Sequence, residues 1–64
     1  MNKISLLEKT AYGAREIKFD NVIEIHTGTS YETMEKTMHI IFKDGDVIER
    51  ASILENNIIG YDLS

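Results

Sequence analysis

The chain has two histidines, and both lie where apolar and polar residues alternate, in VIEIHT at 22–27 and TMHIIF at 37–42. Alternation of period two sends successive side chains to opposite faces of a strand. If the segments pair antiparallel and bury Ile23 and Ile25 against Met38, Ile40 and Phe42, parity admits two registers. One sets Ile25 opposite Ile40 and His26 opposite His39; the other sets Ile25 opposite Met38 and Glu24 opposite His39. In both, His26, His39 and Glu24 share the face turned away from the core, and a bulged hairpin after them adds Glu49. Two imidazoles with a carboxylate are a ligand set for a divalent metal, and imidazole titrates at about pH 6.5. A sheet with a solvated outer face carries the same residues without any ligand, so the expectation is no metal and no cofactor.

The remaining chemistry is sparse. With no Cys in the chain, thiolate nucleophiles, redox pairs and cysteine zinc sites are excluded. The four glycines stand apart, and there is no phosphate-cradling loop, no His-Glu-x-x-His pair and no nucleophile elbow. A general acid and base also need a cleft that excludes water, which 64 residues seldom build. The chain reads as non-enzymatic.

Charge narrows the partners. Eleven acidic and seven basic residues give a net charge of -4, and the cations Lys3, Lys9, Arg15, Lys18, Lys36, Lys43 and Arg50 are scattered. Nucleic-acid affinity rests on converging cations, so neither a phosphate-tracking groove nor an anionic membrane surface is expected. The acids are too few for a nucleic-acid mimic and read as a solvated surface. No segment approaches the roughly 20 apolar residues that span a bilayer, and MNKISLLEKTAYG lacks a signal-length apolar run. The expected location is the cytoplasm. A composition rich in Ile, Lys, Glu and Asn, without Pro or Trp, suits an AT-rich bacterial or phage genome.

The elements that must position these residues are mostly strands. REIKF at 15–19 alternates, Asp20-Asn21 interrupts, and alternation resumes at Val22. In IIFKDGDVIER at 40–50, Asp44-Gly45 marks a hairpin, because Gly adopts the left-handed backbone of such turns without steric cost. A two-residue loop sets Phe42 opposite Val47 and Ile41 opposite Ile48; a three-residue loop with a bulge sets Ile40 opposite Ile48 and His39 opposite Glu49. In the closing run NNIIGYDLS, Ile59, Tyr61 and Leu63 share one side of a last strand, with Gly60 marking a bulge or close approach. The Ser5 to Glu8 spacing, with Gly13 as a stop, predicts a short helix over 5–12. GTSYETMEK at 28–36 reads as a surface loop holding a helical turn, with Tyr31 and Met34 leaning on the core. The fold expected is mainly β, one domain over residues 1–64, with about five antiparallel strands in a small barrel or half-barrel and a short N-terminal helix.

Function is then expected to lie in binding. A core this small is marginal without cross-links, and Ile41, Ile48 and Val22 on the outer face point to a homo-oligomer. A partner protein is expected to meet the 28–36 loop through Tyr31, Met34, Glu32 and Glu35, as a phage-like accessory protein or inhibitor would bind its target. The competing reading is an oligomer that sequesters a nucleotide-like small molecule, with His26, His39, Arg15, Arg50 and Tyr61 as polar anchors.

Overall fold

Alternate residues of two central strands build the core. In the computed structural model, which describes residues 2–64, the strands are β1 (Ile4–Thr10), β2 (Gly13–Phe19), β3 (Val22–Thr29), β4 (Lys36–Asp44), β5 (Val47–Leu54) and β6 (Ile58–Leu63). A single 3-10 turn at Glu55–Asn57 precedes β6. The strands form two antiparallel three-stranded sheets, ordered β2-β1-β6 and β3-β4-β5, which do not close into a barrel. Ile4 and Leu6 of β1 pack with Met38 and Ile40 of β4, Val22 of β3 and Ile53 of β5, and Phe19 and Phe42 meet at the margin with ring centres 5.2 Å apart. The shortest extent is 17 Å, enough for two sheets about 10 Å apart and no third layer.

The expected N-terminal helix is replaced by β1 and the turn after it. Within 4–10, Ile4 and Leu6 are buried while Leu7 points away and is 40% exposed, a period of two that overrides the helical spacing of Leu7 and Ala11. Seven residues cannot sustain a helix alone. As a central strand they gain ladder hydrogen bonds on both sides, from Ile4 opposite Phe19 to Thr10 opposite Gly13, and from Ile4 opposite Leu63 to Glu8 opposite Ile58.

Asp20-Asn21 carries the chain from one sheet to the other. Asn21 has φ +56°, a left-handed conformation that Asn tolerates better than most residues. Its carbonyl accepts from Lys43 N–H at 3.0 Å, and Val22 N–H donates to the Asn2 carbonyl at 2.8 Å, so the sheets are stitched together at this corner.

A bulge and a hairpin register depart from the pairing expected from sequence, and only the bulge changes which residues face the core. The register of β3 on β4 shifts between Val22 and Glu24, the mark of a bulge. Val22 therefore turns inward, 8% exposed, and Ile23 turns outward, 57% exposed; Val22 is a core residue and not part of an outer interface. The second lies at the β4–β5 hairpin, where neither expected register occurs: Asp44 pairs with Val47, Ile41 with Arg50 and Phe42 with Glu49. The connection is Gly45-Asp46, with Gly45 at φ +63°. Glycine at the first central position is the type II′ pattern, whose twist matches the strands.

The bulge leaves Ile23 of β3 outside the core to which Ile40 of β4 belongs. Ile40→Ala, at 0% exposure, should cost about 2 to 5 kcal/mol, while Ile23→Ala should stay within about 0.5 kcal/mol. Urea unfolding followed by circular dichroism reads both; equal losses would contradict the bulge.

Candidate functional site

Register fixes what the outer face of the β3-β4-β5 sheet displays. Its residues lie in rows across the three strands: Glu24, Ile41, Arg50; then His26, His39, Ser52; then Gly28, Thr37, Leu54. The β3–β4 ladder takes the register with Ile25 opposite Ile40 and His26 opposite His39. The imidazoles stand with centres 5.2 Å apart and planes inclined by 36°. On its other side His39 Nδ1 lies 2.9 Å from Ser52 Oγ. Gly28 leaves room at the far end of the ring, since a Cβ there would meet His39 Nε2 at 3.8 Å.

Glu49 does not join this group. Opposite Phe42, it takes the core-facing parity of β5. No cluster of three or more His, Cys, Asp or Glu able to hold a metal occurs among the described residues. Ile41 is half-buried and Ile48, opposite Lys43, is 65% exposed, so apolar surface lies beside the histidine row on a face that no helix among the described residues covers.

The residues expected to anchor a small molecule are divided between the sheets. His26, His39 and Arg50 share the face just described. Arg15 sits opposite Glu8 on β1, bonded to its carboxylate by Nε to Oε1 at 2.8 Å, and Tyr61 sits opposite Leu6 on β6. Two clefts of about 300 Å³ open on the β2-β1-β6 sheet, one around Lys3, Glu16 and Lys18, the other around Leu7, Gly60 and Tyr61. Neither is lined by a histidine.

The β3–β4 connection is shorter and more constrained than its composition suggests. β3 runs to Thr29 and β4 starts at Lys36, leaving residues 30–35. Met34 N–H donates to the Ser30 carbonyl at 2.7 Å, and Ser30 N–H to the Glu35 carbonyl at 2.9 Å. The first bond closes one helical turn. Tyr31 and Met34 do not lean on the core: they are 91% and 73% exposed, beside exposed Glu32 and Glu35. Met34 has φ +60°, which costs an L-residue about 1 to 2 kcal/mol and persists only where the surroundings enforce it.

Ser52, Gly28 and the strain at Met34 escaped sequence reasoning. Ser52 reaches His39 only through the register that the Gly45-Asp46 turn imposes, and nothing in TSYETMEK marks a left-handed methionine. No family model, no curated protein and no solved structure matches this chain.

The conformation of Met34 gives a stability test. Met34→Gly should raise the denaturation midpoint, by the equivalent of up to about 1 kcal/mol after the entropy of glycine is counted. A loss of stability would mean that the methionine side chain supports the turn.

Proposed function

We propose that this chain is a small, non-enzymatic cytoplasmic protein that self-associates and inhibits a partner protein by occupying its surface through the 30–35 loop. One observation carries the reading: Tyr31 and Met34 are held out to solvent on a turn closed by two backbone hydrogen bonds, with Met34 in a strained conformation. A closed turn loses less freedom on binding than an open loop, so it docks at lower entropic cost. Exposed Tyr and Met are common anchors of protein interfaces. With Glu32 and Glu35 beside them, the complementary surface is an apolar pocket rimmed by Lys or Arg.

Self-association draws support from the balance of surface and core. Exposed large apolar side chains, among them Ile23, Ile48, Ile59, Tyr61 and Leu63, outnumber the buried ones. The edge strands β2, β6, β3 and β5 also present backbone groups that another chain can pair with. Ile41 and Ile48 on the β3-β4-β5 sheet are the contacts assigned to the oligomer.

A photo-crosslinking residue placed at Tyr31 in cells should yield a discrete adduct with one protein, and the same residue at Tyr12, 101% exposed in the β1–β2 turn, should not. Equal labelling at both positions, or none at Tyr31, would refute the loop reading. For self-association, sedimentation of the metal-free chain at low micromolar concentration should give more than the monomer mass, and Ile48→Lys should return it to the monomer. A monomeric unaltered chain would overturn that part.

A further inference from the structure

We propose that His26 and His39 are half of a zinc-type metal site, completed by the same two residues of a second copy of this chain. The argument starts from the donors. Two neutral imidazoles side by side offer two nitrogen ligands, the type preferred by Zn2+, Cu2+ and Ni2+. Nitrogens sharing one tetrahedral zinc lie about 3.3 Å apart, given Zn–N bonds of about 2.0 to 2.1 Å. Rings with centres 5.2 Å apart span that separation.

The surroundings of His39 resemble the outer shell of a metal ligand. Metal-bound histidines direct the nitrogen that does not bind metal to a hydrogen-bond partner, which fixes tautomer and ring orientation. Ser52 Oγ is placed to accept from Nδ1–H, 2.9 Å away. Nε2 then carries the lone pair, and it lies beside Gly28, where no side chain stands in its way.

The second copy follows from what one copy lacks. A structural zinc takes four ligands, and among the described residues no third His, Cys, Asp or Glu joins the pair. Face-to-face contact of two copies supplies the same two histidines again and covers the flanking Ile41 and Ile48. Glu24 and Arg50, on either side of Ile41, give the face both signs of charge, so like copies are not driven apart. The inference rests on that reading's choice of this face for contact between copies and adds a metal dependence; it is independent of the 30–35 loop.

The test uses the untagged chain and Zn2+ or Co2+ alone. Calorimetry should give one Zn2+ per two chains, sedimentation should show the dimer tightened at least tenfold by the metal, and Co2+ should give the visible bands of a tetrahedral nitrogen site. His26→Asn and His39→Asn should each abolish binding while circular dichroism stays unchanged. Gly28→Val keeps both imidazoles and a good strand residue but crowds Nε2, and should weaken binding at least tenfold. One metal per chain without a change in mass, or binding that survives His26→Asn, would overturn the proposal. A metal-free dimer that takes up no Zn2+ would remove the metal site alone, and a metal-free monomer that dimerises on Zn2+ would retain it.

Discussion

Everything in this molecule depends on two central strands packing across a thin interior. Ile4 and Leu6 on β1 meet Met38 and Ile40 on β4, and among the described residues only Val22 and Ile53 join them in the buried core. Burial of apolar surface is the main favourable term in folding, at about 25 cal/mol per Å², and a core of this size leaves little in reserve. With two layers, and no helix packed outside them among the described residues, the outer faces and edges meet solvent or another molecule. Exposure of Ile48, Ile59 and Tyr61 follows from the same geometry.

Backbone irregularities decide what those surfaces display. The bulge at Val22–Glu24 adds one residue to β3 and so exchanges the faces of Val22 and Ile23. Because the side-chain period is two, a shift of one residue is enough to turn a core position outward. The Gly45-Asp46 turn sets β5 so that Ser52, rather than Glu49, stands beside His39. A carboxylate there would have made a three-ligand cluster in one copy. With Ser52 instead, His39 gains an orienting hydrogen-bond partner at Nδ1, and the row holds two imidazoles without a carboxylate.

The candidate surfaces differ in how they are held. The histidine row is fixed by ladders on both sides of β4, where a central strand loses its conformational freedom to regular hydrogen bonds. The 30–35 loop is fixed locally, by two hydrogen bonds and a left-handed Met34. Strain of that kind persists only where the surrounding structure enforces it, and it is concentrated in binding and switch segments.

Alternation between Ile17 and Phe42 was sufficient to identify strands, because a pleated strand admits no other period. The same reasoning brought His26, His39 and Glu24 to one face without structural help. The sequence could not exclude a helix over 5–12, since Ser5, Leu7, Glu8 and Ala11 satisfy helical spacing locally while only pairing with β2 and β6 rewards the extended form. Nor could it separate Val22 from Ile23, or choose the hairpin register, because adjacent apolar residues fit either face until a bulge or turn fixes the count. Local side-chain chemistry thus marked β2 to β6 as extended and set Glu24, His26 and His39 on one face. Long-range pairing alone decided which residues became neighbours, since ladder hydrogen bonds and core packing act between segments that sequence proximity does not bring together.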